Sequence, residues 1–401
     1  MTDQSGFRRL RLDGGLTGFR DVLGLFLSTG ERAPTSKKKI VAKWTYMPAE
    51  PILAAGALPY DPHITESLRH LITDEDTSSM KYAVESGLPP DYCPWNLAMA
   101  GSMMSGKTMV PIDLMVVSCG CWCDSMSQSW YSTSRRIGIP FHYFDVPPFD
   151  LESKEWAIEY LVKELESLSE WLGNHGGRRI EGVALREEIR STNKLRQAMI
   201  DLTDLLREDN VPVSALEYYL LQMTMSDYLQ APDALYRAWR GVLQESKERV
   251  RKGTPAKSIC DSPLRVYYSG AETQELSVFS MIEDFGGTLV GCDTYLPLYR
   301  DLVSEDGSLR SLANWIWATP FSFPTMERIR ATMPFIKKQR AECVMINNTT
   351  GCKYLTESSR LARDMIREEL GLPVLTVETS SPGENVELTE SRIRAFMETN
   401  R

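Results

Sequence analysis

The sequence predicts an α/β protein of two doubly wound, parallel-sheet lobes joined by a helical connector. Three observations carry this. Short apolar runs alternate with amphipathic helical patterns from Ile40 to Val146. The alternation stops over residues 151–260, where helical spacing alone persists, and it returns from Leu264 onward. The expected units are an N-terminal helical extension (1–39), a first lobe (40–150), a connector (151–260) and a second lobe (261–401). In such sheets ligands bind at the carboxyl ends of strands, and between two lobes they bind in the cleft.

Each element follows from its own pattern. Phe19–Leu27 is a short amphipathic stretch, read as a helix that docks on the body or on a partner. A polar run ending in Lys37-Lys38-Lys39 follows it. Ile40–Trp44 reads as a strand, Pro48–Ala57 as a helix and Ile112–Ser118 as a buried strand. Asp124–Ile137 is then a helix and Phe141–Val146 a strand. In the connector Ala157, Leu161, Leu165, Leu168 and Leu172 recur at helical spacing, and three more helical patterns run to Lys252. The second lobe has strands at Leu264–Ser269, Thr288–Gly291, Val344–Asn347 and Val374–Val377. Its helices are expected at Thr273–Phe285, Met326–Lys338, Thr356–Leu370 and Leu388–Thr399.

Composition narrows the function. Hydrophobic residues make up 42% and charged residues 25% of the 401, which argues against disorder and fibrous repeats. The 45 basic and 54 acidic residues give a net charge of −9, without the basic surplus of a general nucleic-acid binder. Apolar runs such as Val22–Leu27 and Leu114–Val117 fall far short of the roughly 18 residues that span a membrane. The N-terminus does not follow the order of a secretory signal, so the expected location is the cytoplasm. There the eight cysteines are expected as reduced thiols, available for packing, metal binding or catalysis.

One motif misleads. Gly101-Ser-Met-Met-Ser-Gly106-Lys107-Thr108 fits the phosphate-loop pattern letter for letter. A working phosphate loop is fed by a strand and leaves into a helix, whose N–H groups hold the phosphates. Here Pro94–Ala100 reads as helix, and the apolar Met109–Val117 leads into a strand. The match is therefore expected to be fortuitous.

The cysteines divide into two groups. Cys260, Cys292 and Cys343 lie in or beside apolar runs and are expected to pack. Cys93 stands before Pro94 at a turn into a helix. Cys123 and Cys352 each follow a strand and open a helix, one in each lobe. A helix N-terminus favours a thiolate and donates N–H groups to sulfur. Three such thiolates facing a cleft suit a [4Fe–4S] cluster bound through three irons, with the fourth open to substrate. Cys119 and Cys121 complete a C-x-C-x-C run that could itself bind a metal, and are otherwise spare thiols on that loop.

At these residues the chain resembles the 2-hydroxyacyl-CoA dehydratase and benzoyl-CoA reductase subunit family. The likeness runs through Thr45-Tyr-Met-Pro-Ala-Glu-Pro-Ile-Leu-Ala-Ala-Gly-Ala-Leu-Pro59 and Asp91-Tyr-Cys-Pro94. It continues in Cys123-Asp124 with Ile139–Pro147, in Arg265-Val-Tyr-Tyr-Ser-Gly270 with Phe285-Gly-Gly287, in Gly351-Cys352, and in Glu369–Val374. The resemblance implies that Cys93, Cys123 and Cys352 bind the cluster. It also implies loss of water from a 2-hydroxyacyl-CoA through a ketyl radical anion, made by one low-potential electron. It further implies a homologous second subunit in a heterodimer, and a separate ATP-hydrolysing iron–sulfur activator. Reduction of an aromatic acyl-CoA is the close alternative within the family. Relatives with a double-cubane cluster use more cysteines, and Lys107–Pro111 and Asp293-Thr-Tyr295 supply none.

Thr45 and Tyr46 follow the first strand, where their hydroxyls are expected to reach substrate. His63 and Glu66, read as lying on the next loop, are candidates for moving protons, by position alone. His70, His142 and His175 lack partner spacing and are expected to be structural or exposed. No acid–base pair of carboxylates stands out, and the catalytic residue is left unassigned.

Overall fold

The computed structural model describes residues 15–28, 37–73, 78–120, 123–229, 231–320 and 323–401. Two four-stranded parallel sheets organise it, as the alternation predicts. The first holds β1 (Ile40–Lys43), β2 (Leu58–Tyr60), β3 (Leu114–Gly120) and β4 (Phe141–Val146), in the order β2-β1-β3-β4. The second holds β5 (Leu264–Gly270), β6 (Gly287–Cys292), β7 (Cys343–Thr349) and β8 (Val374–Thr379), in the order β6-β5-β7-β8. All four residues of β1 and all six of β6 are buried, as expected for strands covered on both faces. Both sheets reverse direction of growth at one place, between β1 and β3 in the first and between β5 and β7 in the second. Crevices at such switch points, beyond the strand carboxyl ends, are where ligands bind.

Helices Lys154–Asn174, Gly182–Leu205, Ala215–Met223 and Pro232–Lys252 form the connector. It is tied to both lobes by a buried arginine. The guanidinium of Arg196 lies 2.6 Å from Glu50 of the first lobe and donates to the Leu298 carbonyl of the second at 3.2 Å. The attraction is strong enough to hold the buried Glu50 carboxyl below its ordinary range, against the cost of desolvation. The Thr17–Leu27 helix docks on the body, not away from it. Glu245 accepts from the Thr17 and Gly18 amides at 2.8 and 2.9 Å, satisfying its free N-terminal donors. No helix among the described residues is long and apolar enough to cross a membrane.

The structure trims several expectations. The helix expected over 48–57 is only Glu50–Ala54, because Pro48 and Gly56 bracket it. The one expected over 273–285 starts at Ser277, since residues 271–276 form a loop at the head of β5. The short β2 strand and the helix Leu309–Trp317 were not expected.

The phosphate-loop match is the end of a helix. Gly101 lies inside Pro94–Met104, and Gly106–Thr108 follow its last turn. Gly101 is there for packing: a Cβ would lie 1.7 Å from the Ser79 carbonyl oxygen of the adjoining helix. Gly101→Ala is thus expected to destabilise the first lobe by roughly 2–4 kcal/mol, the range of severe overpacking. Lys107→Ala should leave thermal unfolding and nucleotide affinity as they were. Calorimetric unfolding and ATP titration check both; ATP binding that vanishes in Lys107→Ala would revive the phosphate loop.

Candidate metal centre

The two switch points face each other across one cavity. From the first lobe, the end of β1 supplies Trp44 and Tyr46, and the segment beyond β3 supplies Cys123. From the second, the end of β5 supplies Ala271 and Glu272, and the turn after β7 supplies Gly351 and Cys352. Cys93 enters from the turn before the Pro94–Met104 helix. The opening is about 550 Å³, solvent included, and its walls are mainly apolar, with Trp95, Met126 and Leu355 among them.

Each of the three cysteines stands at the N-cap of a helix: Cys93 before Pro94, Cys123 before Asp124, and Cys352 before Lys353. Backbone N–H groups of Trp95, Met126 and Leu355 donate to their sulfurs and favour ionisation. Burial outweighs these bonds. It pushes the Cys93 and Cys352 thiols up and the Cys123 thiol up to about 12. Cys123 and Cys352 add to the shift at Cys93, so the three sulfurs sense one another. The helix ends favour thiolates, as expected from the sequence, while a clustered, desolvated set resists negative charge. A positively charged metal group bound here would offset that penalty, with release of the protons. Among the described residues no three His, Cys, Asp or Glu side chains close on a single metal ion. The three thiols line one cavity, drawn from three separate turns.

The loops are held in mutual contact. Gly351 has φ +82°, and a Cβ there would lie 2.7 Å from the Tyr92 carbonyl carbon and 2.8 Å from the Cys93 nitrogen. The turn carrying Cys352 thus rests directly on the turn carrying Cys93. Behind β1, the buried Lys43 donates to the Trp44 and Thr45 carbonyls at 3.2 and 3.3 Å, fixing the segment that presents Tyr46.

Tyr46 donates to Glu272 at 3.1 Å and to the Thr294 carbonyl at 2.7 Å, bridging the lobes. Glu272 also lies 3.8 Å from His63 Nδ1. Burial first, then the charge of Asp61, raises the Glu272 carboxyl to about 8. Burial lowers the His63 imidazole to about 3. Burial thus disfavours charge on both groups. Both line the cavity wall.

A family model for the 2-hydroxyglutaryl-CoA dehydratase D-component matches residues 44–400. The chain belongs to this family. The match starts at the end of β1 and takes in every residue of the cavity wall, leaving the Thr17–Leu27 helix outside. No curated protein matches the chain.

Within this D-component fold, the sequence-derived candidates fall into three groups. Cys93, Cys123, Cys352 and Tyr46 share the cavity. Thr45 lies behind its wall, fully buried, with its hydroxyl 3.3 Å from His63 Nδ1. Glu66 is elsewhere: it accepts from Tyr60, from the Met109 amide at 2.8 Å and from Arg69 at 3.2 Å, latching the loop before β3. Both His63 and Glu66 lie on the helix Pro62–Thr73, not on a loop. Of the expected packing cysteines, Cys292 and Cys343 are buried, while Cys260 is only half-buried, with Arg401 4.0 Å away. Cys121, the Cys119 side chain and the His70 side chain lie outside the described residues. Glu272 was missed. Its signal was available in its position just after the second lobe's first strand, the counterpart of Thr45 and Tyr46 in the first.

Proposed function

We propose that the chain is the cluster-bearing component of a 2-hydroxyacyl-CoA dehydratase, with Cys93, Cys123 and Cys352 as ligands of a [4Fe–4S] cluster. The observation that carries this reading is the meeting of the three thiols, drawn from both lobes, at opposed switch points. When bound, such a cluster supplies a low-potential electron to the thioester and a Lewis-acidic iron for its oxygen. The chain's own residues do the rest. Trp44, Trp95, Met126 and Leu355 keep water from the reacting atoms. Tyr46 orients the Glu272 carboxyl, which offers a proton to a departing hydroxide. His63, 3.3 Å from the Thr45 hydroxyl, packs beside Glu272 on the same wall and helps to fix its position. The partners would be a homologous second subunit and a separate ATP-hydrolysing iron–sulfur activator. That division of labour suits a chain whose phosphate-loop match is a helix end.

Anaerobic purification with iron and sulfide counts is expected to give about four irons per chain. Supplied with its partner component and an ATP-driven one-electron donor, it should convert a 2-hydroxyacyl-CoA to the enoyl-CoA. A colourless, iron-free protein from strictly anaerobic cells would sink this reading. Iron retained with reduction of an aromatic acyl-CoA, and no loss of water, would move the chemistry to the benzoyl-CoA reductase type.

A further inference from the structure

A second cavity lies wholly in the second lobe, back to back with the metal centre. It opens beyond the carboxyl ends of β5 and β6, against the helices Thr325–Lys338 and Ser359–Leu370. Its volume is about 730 Å³, mouth included. Leu355 belongs to both cavities and separates them.

One side of this space is polar. Arg328 lines it, stacked 4.6 Å over the Tyr354 ring, with Nη2 donating to Ser358 Oγ at 2.8 Å. Its Nη1 is shielded from solvent and has no hydrogen-bond partner. No carboxylate among the described residues lies within ion-pair distance of this guanidinium. Ser358 and Ser359, at the first turn of the Ser359–Leu370 helix, line the same side, and no side chain caps that turn. Its first N–H groups therefore add to the positive potential. Ile329, Ile346, Leu355, Ala362 and Ile366 form an apolar wall, with Thr294 and Thr332 also in the lining. Asp293 also lines the cavity, where it feels the Arg328 charge and already accepts from Ser269 at 2.7 Å and the Gly270 amide at 3.2 Å. One guanidinium beside one carboxylate favours a singly charged anion over a dianion.

We propose that this cavity is a second ligand site, taking a small organic acid whose carboxylate pairs with Arg328 and whose apolar body rests on Leu355, Ile329 and Ala362. The carboxylate fills the unmet Nη1 donors in a forked pair, and the chain covers the apolar wall. The proposal rests on Arg328 and the apolar wall, and none of its hydrogen bonds involves Cys93, Cys123 or Cys352.

Calorimetric titration of the full-length chain with hexanoate, 1-hexanol and inorganic phosphate tests it. Hexanoate should bind at one saturable site, and the alcohol and phosphate roughly tenfold more weakly or worse. Arg328→Gln should weaken hexanoate by roughly ten- to a hundredfold. Ala362→Phe, which fills the apolar end, should abolish binding without touching the guanidinium or the cysteine cavity; it decides the matter if Arg328→Gln does not fold. Hexanol binding as well as hexanoate, phosphate binding more tightly, or unchanged hexanoate affinity in folded Ala362→Phe would each overturn the proposal.

Discussion

Serine at Cys93, Cys123 or Cys352 is expected to strip the protein of most of its iron. The three sulfurs come from three separate turns, two in the first lobe and one in the second, so none of the three can stand in for another. A serine hydroxyl at the same N-cap is a far poorer ligand for iron than a thiolate. The same change at Cys292 or Cys343 acts on a different kind of residue, a small apolar group fully inside the core. It should cost on the order of 1–2 kcal/mol of stability and leave the iron in place. Iron and sulfide per chain, with the visible absorbance, separate the two groups. Serine at Cys119 or Cys121 should leave the iron nearly unchanged. If Cys121→Ser loses iron as completely as Cys123→Ser, the assignment on that loop is wrong and a cluster with extra cysteine ligands becomes the better description.

Why the thiols were legible from sequence, and Glu272 was not, has a physical reason. Strand and helix periods mark where a strand ends and a helix begins, and Asp124–Ile137 and Phe141–Val146 are found at the expected residues. A cysteine at such a junction is placed by local pattern alone. The parallel sheet order then brings junctions of one lobe to one edge. Which lobe faces which is set by long-range contacts such as Arg196 with Glu50 and Leu298, and these leave no periodic trace. The His63–Glu272 pair exists only because of that facing. Glu66 shows the converse. Its position near His63 suggested a proton carrier, yet three residues further along the helix it lies outside the cavity, on Tyr60 and Met109. Cysteine ionisation was legible only in part: helix ends are visible in sequence, but the desolvation that opposes them depends on the finished packing.

Gly351→Ala is expected to empty the metal centre while leaving most of the protein folded. Two costs act at this position. The backbone is left-handed, at φ +82°, where a side chain adds on the order of 1–2 kcal/mol. The new Cβ would also lie 2.7–2.8 Å from three backbone atoms, the Tyr92 carbon, the Asp91 oxygen and the Cys93 nitrogen. None of these is the end of a side chain that can swing aside. The only relief is to move the Cys93 turn away from the Cys352 turn, and cluster binding tolerates such misplacement poorly. Gly371 provides the control. It has a similar φ of +69° at the end of the Ser359–Leu370 helix, and a Cβ there meets nothing within 4 Å. Gly371→Ala therefore isolates the backbone cost, and it should lower thermal stability slightly with the iron count intact. Gly351→Ala should lose iron out of proportion to its loss of stability, by anaerobic iron determination beside calorimetric unfolding. Equal iron in the two variants would mean that contact between the Cys93 and Cys352 turns does not set the geometry of the centre.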